Sequence, residues 1–115
     1  MEDLCFIVEG KSDKQKLKRI IPEHAMILCT NGTISEVDLL HLIEPFEDSM
    51  LVTLFDADKN GQKLRDLMNR IYPEALQLII PQQYKEVAET PTHILRALLE
   101  KNKLKVKIRN ERVDS

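Results

Sequence analysis

The chain reads as an α/β protein: a three-layer α/β/α domain around a mostly parallel four-stranded sheet, with an expected strand order of 2-1-3-4. Short apolar runs alternate with segments whose apolar residues recur at helical spacing, in the order βαβαβαβα. The run MLVTLF at Met50 to Phe55 is almost wholly apolar, as a strand covered on both faces must be. The stretches between runs are long enough for right-handed crossovers.

Leu4 to Val8 is too short and too β-rich for a helix and forms the first expected strand. From Ser12, SDKQKLKRII spaces Leu17, Ile20 and Ile21 for one buried helical face, with Ser12 or Asp13 as cap and Pro22 as stop. MILC, Met26 to Cys29, is the second strand, closed by Thr30, Asn31 and Gly32, of which Asn and Gly tolerate positive φ. A helix follows from about Ser35, its cap, to Ile43, with Pro45 just past its end. Met50 to Phe55 is the third, central strand. DADKNG then leads into a helix of about Gln62 to Ile71, whose Leu64, Leu67, Met68 and Ile71 make a buried stripe before Pro73. Leu76 to Ile80 is the fourth strand, stopped by Pro81. QQYKEVAETP is a polar connection long enough to carry function, ahead of a last helix near Thr92 to Lys101. In the tail, Leu104, Val106 and Ile108 alternate with Lys103, Lys105, Lys107 and Arg109, the pattern of an extra edge strand with a wet, basic face. Those lysines serve either to block edge pairing or to touch nucleic acid locally.

With 115 residues and 43% hydrophobic composition the chain fills one core, so a single domain over 1–115 is expected, its core at about 3–101 and a basic tail at 101–115. No stretch approaches the roughly 18 apolar residues of a membrane span, and the charged start MEDLCFIVEGKSDK is unlike a signal peptide, so a cytoplasmic protein is expected. Cys5 and Cys29 lie in expected strands without CxxC spacing and read as buried, reduced thiols. A net charge of −2 excludes a protein that grips nucleic acid by bulk charge, so any polyanion contact must be local. Aromatics at 4% leave no stacking platform, and Phe6, Phe46 and Phe55 are core residues.

Two acidic clusters directly follow apolar runs: Glu9 after CFIV, and Asp56 and Asp58 after MLVTLF. Ligands of open α/β sheets bind outside the carboxyl ends of strands where the winding reverses, here between strands 1 and 3. The three carboxylates would converge there, because residues two apart in an extended DxD point the same way. Carboxylate oxygens without His or Cys suit Mg²⁺ or Mn²⁺ far better than zinc. Glu9 could carry a proton in phosphate chemistry at such an ion. Gly10 and Gly61 would let the backbone turn beneath the site. Lys11, Lys59 and Arg65 could neutralise a bound phosphate, or be simple solvated cations. The bland alternative makes all three acids helix caps or turn residues.

DADKNG also fits the first half of an EF-hand loop, but Lys63 and Leu67 then fall where an apolar residue and a bidentate Glu are required, and a strand precedes the motif. EGKSD lacks the first glycine of a Walker loop. His24, His41 and His93 share no spacing with a carboxylate or cysteine cluster and read as structural or surface residues.

FIVEGKSD followed by LVTLFDADKNGQKLR resembles the Toprim domain shared by bacterial primases, type IA and type II topoisomerases and several nucleases, over most of the chain. The DxDxxG of Asp56, Asp58 and Gly61 is most similar to the primase and small-nuclease branches. TNG at Thr30 to Gly32 is similar to the Toprim ribonuclease that matures 5S ribosomal RNA. The resemblance implies Mg²⁺-dependent breaking or making of phosphodiester bonds, with Asp56 and Asp58 holding metal and Glu9 as metal ligand or general acid/base. It also brings Asp13 to a position where related enzymes carry another acid, so that Asp13 would join Glu9, Asp56 and Asp58 in the metal site. Only Tyr72 and Tyr84 are present for a topoisomerase nucleophile, and no template-handling module accompanies them. The acidic segment expected after strand 4 is reduced to YKEVAET, where Glu86 or Glu89 would have to substitute. A small standalone nuclease acting on RNA or DNA is the leading expectation. The alternatives are a non-catalytic module binding metal and nucleic acid, docked on a partner protein that supplies substrate recognition, and primase-related nucleotidyl transfer.

Overall fold

The structure is a computed structural model that describes residues 3–107. Four parallel strands, β1 (Leu4–Val8), β2 (Met26–Cys29), β3 (Met50–Phe55) and β4 (Leu76–Ile79), form one sheet in the order β2-β1-β3-β4. The helices are α1 (Lys11–Lys18), α2 (Glu36–Ile43), α3 (Lys59–Ile71) and α4 (Thr92–Lys101), with short 3-10 turns at Glu44–Phe46 and Gln82–Tyr84.

Side chains alternate across each strand, which splits the core in two. Phe6, Val8, Val52 and Leu54 pack with Leu17, Leu95 and Leu99 of α1 and α4 on one face. Cys5, Ile7, Leu51 and Phe55 pack with Leu39, Ile43, Leu64 and Met68 of α2 and α3 on the other. The three layers are therefore α/β/α, with β1 and β3 central. Thr53, a polar residue in the central strand, is fully buried and donates to Gln77 Oε1 at 2.9 Å, while Gln77 Nε2 donates to the Arg65 carbonyl at 3.0 Å. This satisfied network ties β3, β4 and α3 together.

Local details depart from expectation in four places. α1 starts at Lys11 with Gly10 as cap, and Asp13 lies in its first turn, where its Oδ2 accepts from the Gly10 N–H at 3.1 Å. α3 starts at Lys59 rather than Gln62, because Asp58 caps it by accepting from the Gly61 N–H at 2.8 Å. Phe46 and Cys29 are only half-buried, although both cysteines are free. Residues 104–107 join no strand: Lys103, at φ 62°, turns the chain back so that Leu104 packs into the α1–α4 core. Lys107 then meets α1's end through a single bond, its N–H donating to the Ile20 carbonyl at 2.6 Å, so no edge strand forms among the described residues. Ile108 and Arg109 lie outside them.

Candidate functional site

Glu9 follows β1 directly and Asp56 follows β3 directly, so the parallel pairing of these central strands sets the two residues side by side. The Asp56 N–H donates to Glu9 Oε2 at 2.6 Å, and the Asn60 amide donates to Glu9 Oε1 at 2.7 Å. Glu9 is 8% exposed, a buried acceptor rather than a residue at an open rim. Its backbone carbonyl accepts from the Asn31 N–H at 2.7 Å, where Asn31 and Gly32 adopt φ of 59° and 93° as the TNG turn suggested. β2's exit thus holds β1's exit in place.

The connection after β4 completes the site by a route the residue types did not reveal. Lys85, at φ 62°, folds this segment over the end of β3, and its carbonyl accepts from the Ala57 N–H at 2.7 Å. The Val87 N–H then donates to Asp56 Oδ1 at 2.8 Å, and the Ala88 N–H to Asp13 Oδ1 at 3.0 Å. Val87 is anchored in the core, whereas Glu86 and Glu89 are exposed. The loop contributes backbone donors to the site, and from the solvent side the charge of Glu86 reaches Asp13. Asn60, Val87 and Ala88 are the participants missed from sequence; Asn60's place in the first turn of α3 was the one available signal.

Four carboxylates are gathered in this way, and none of them forms a salt bridge with a Lys, Arg or His among the described residues, where the recorded pair is Arg70 with Glu36. Burial pushes the Asp56 carboxyl up to about 7, assisted by the charges of Asp13, Glu9 and Asp58 and opposed by the Val87 N–H. Burial likewise raises Asp13, whose two backbone donors work against it while Glu9 and Glu86 add to it. A carboxyl raised on folding stabilises the fold most when neutral, below its ordinary value, and loses that contribution as pH climbs through the folded value. In chelator the unfolding midpoint is therefore expected to fall as pH rises from the ordinary carboxyl range to about pH 7 and to flatten above it, less steeply in Asp56→Asn. Thermal melts across that window check this, and a midpoint that climbs with pH contradicts it. His24, His41 and His93 are exposed.

The remaining expected site residues divide. Lys11 and Lys59 are exposed at the first positions of α1 and α3. Arg65 is 8% exposed, and its Nη1 donates to the Asp56 carbonyl at 3.1 Å while Nε and Nη2 reach Gln62 Oε1. It braces the Asp56 backbone and also lines a cleft of about 480 Å³ with Asp58, Lys59, Gln62, Ile79 and Gln82. Gly61 is where glycine is required: a Cβ there would stand 1.8 Å from the Asp56 carbonyl oxygen. Gly10 has no such need, being extended at φ −140° with its would-be Cβ 3.7 Å from Asp13 Oδ2.

Among the described residues, no group of three or more Asp, Glu, His or Cys side chains is arranged as a metal-ion site. The donor chemistry nonetheless fits a hard cation that takes a few carboxylates and keeps several waters or phosphate oxygens. Asp56 and Asp58 each use only Oδ1 toward a protein donor, and no salt bridge among the described residues offsets the cluster's charge.

Fold and site together define a parallel α/β domain with an acidic cluster at the exits of its two central strands. Residues 5–90 match the family described as Toprim domain, and the chain belongs to that family. It superposes on a small TOPRIM domain protein from Bacillus stearothermophilus with a TM-score of 0.86 at 38% identity, covering 96% of this chain and 97% of that one. It is 43% identical over 101 residues to the uncharacterized protein YusF of Bacillus subtilis (strain 168), covering 88% of this chain and 69% of that protein. It is also 37% identical over 67 residues to Ribonuclease M5 of Mesoplasma florum, covering 57% of this chain. The alignment spans only 38% of that ribonuclease's length. No helix among the described residues is long and apolar enough to cross a membrane.

Proposed function

We propose that this protein is a Mg²⁺- or Mn²⁺-dependent nuclease acting on the phosphodiester backbone of RNA or DNA. The observation that carries this reading is the gathering of Glu9, Asp13, Asp56 and Asp58 at the β1 and β3 exits with no basic side chain among the described residues salt-bridged to them. Four acids collected without a salt-bridged counterion among the described residues call for one from solution. Similarity to Ribonuclease M5 over part of the chain supports the same chemistry.

Asp56 and Asp58 would hold the ion through their free oxygens, with Glu9 beside them. A bound divalent cation would supply charge stabilisation at a phosphoryl oxygen. Glu9, which accepts from the Asp56 N–H and the Asn60 amide, would take a proton from an attacking water. Asp13 acts as a positioning residue, joining the first turn of α1 to the loop after β4. Lys11, Lys59 and the helix N–H groups beside them offer positive potential to a substrate phosphate.

Asp58→Asn provides a clean test, since Asn caps helices about as well as Asp and leaves α3 intact while removing the charge. Calorimetry is expected to show weakened Mg²⁺ or Mn²⁺ binding, with cleavage of structured RNA or nicked DNA reduced on the order of a hundredfold. Unchanged ion binding in this variant would remove the metal from the reading.

A further inference from the structure

We propose that the groove between α1 and the outer edge of β2 is a track for a single-stranded nucleic-acid segment leaving the carboxylate site, an inference that rests on the phosphodiester reading above. β2 ends the sheet on this side, and a cleft of about 440 Å³ lies against it. Lys14, Lys18 and Lys107 border the cleft over an apolar floor that includes Ile21, Met26 and Ile27. Met26 is 42% exposed on that floor. Glu23 is the acidic side chain among the lining residues, so the groove is net basic in a chain of net charge −2.

The lysines continue from the site itself. Lys11, Lys14 and Lys18 are spaced three and four apart on α1 and share one helical face, covering about 10 Å of helix axis. At roughly 3.4 Å per stacked nucleotide this matches about three nucleotides. The upper end of the stripe lies at Gly10, directly after Glu9, where the Cys29 thiol donates to the Gly10 carbonyl at 3.6 Å. At the lower end Lys107 is fixed from both sides: its N–H donates to Ile20, and its carbonyl accepts from Arg96 Nη1 at 2.7 Å. Arg96 Nε is buried without a partner, and no salt bridge among the described residues neutralises Lys14, Lys18, Lys107 or Arg96.

A row of cations without salt-bridge partners among the described residues suits a repeating anion, and the concave apolar floor suits an unpaired sugar and base better than the convex flank of a duplex. The row begins where a scissile phosphate would sit, which favours the substrate's own continuation over an unrelated acidic protein.

The test is fluorescence anisotropy with a labelled single-stranded oligoribonucleotide in EDTA, titrated over a range of salt. The triple variant Lys14→Gln/Lys18→Gln/Lys107→Gln is compared with Lys63→Gln/Lys101→Gln/Lys103→Gln, an equal charge change outside the groove. The groove variant is expected to bind at least about tenfold more weakly at low salt and to lose about 2 from the slope of log K against log salt, with the control near wild type. Unfolding midpoints of both variants verify that they fold. An unchanged slope in the groove variant, an equal loss in the control, no binding by wild type, or equal competition by a duplex or an acidic peptide would each overturn the track. Cleavage is scored separately with Mg²⁺. Wild type that binds through the groove but never cuts refutes the nuclease reading alone, whereas cutting with a groove-independent slope refutes the track alone.

Discussion

Replacing Gly61 by Ala is expected to destabilise the protein by at least about 3 kcal/mol, because the new methyl would meet the Asp56 carbonyl oxygen at 1.8 Å and the obstacle is backbone. For a domain of this size that is a drop of roughly 12 °C or more in unfolding midpoint. The first turn of α3 must approach this closely for Asp58 to cap it and for Asn60 to reach Glu9. The same crowded carbonyl is held by Arg65, so any relief of the clash moves Asp56 as well. Gly10→Ala provides the contrast, with an expected cost below about 1 kcal/mol, since its Cβ would make an ordinary contact in an extended segment. Thermal and denaturant unfolding of the pair measures both, and equal stability of the two variants would show that α3 can retreat from Asp56 without loss.

The Asp56→Asn variant is expected to lose cleavage on the order of a thousandfold while its fold persists. The amide oxygen can still accept from the Val87 N–H, so the loop after β4 keeps its anchor. The lost quantity is charge at the centre of the cluster, where Asp56 feels Asp13, Glu9 and Asp58 together. In chelator the variant is expected to be at least as stable as wild type at about pH 8, since it no longer ionises a half-buried acid. Adding Mg²⁺ is expected to raise the midpoint of wild type and leave that of the variant nearly unchanged. Paired cleavage assays and melts check both halves. Full cleavage by Asp56→Asn would end the proposed chemistry, and a collapse of its stability in chelator would mean that the carboxylate is needed chiefly for the fold.

The alternation of elements and the ends of α4 were legible because they follow from periodicity and from proline punctuation, which act locally, whereas the strand order came as an expectation of the fold class and is the one observed. The meeting of Glu9 with Asp56 was legible too, since two parallel strands paired in register bring their exits together. The tail failed the same logic: Leu104 and Val106 have the period of a strand, but Leu104 gains more by closing the α1–α4 core than by lying on an exposed edge. The EF-hand likeness of DADKNG is absent from the fold, where Asp58 is a helix cap following a strand.

By itself, then, the amino-acid order determined which residues leave which strand, and so which acids share one end of the sheet. Tertiary structure alone decided how those acids are held: Val87 and Ala88 reach Asp56 and Asp13 across 31 and 75 positions of chain, through backbone N–H groups. Every residue except proline carries such a donor, so no letter in the sequence marks the ones that will be used. Gly61's necessity has the same origin, since a distance of 1.8 Å to a carbonyl exists only after α3 has docked against the end of β3.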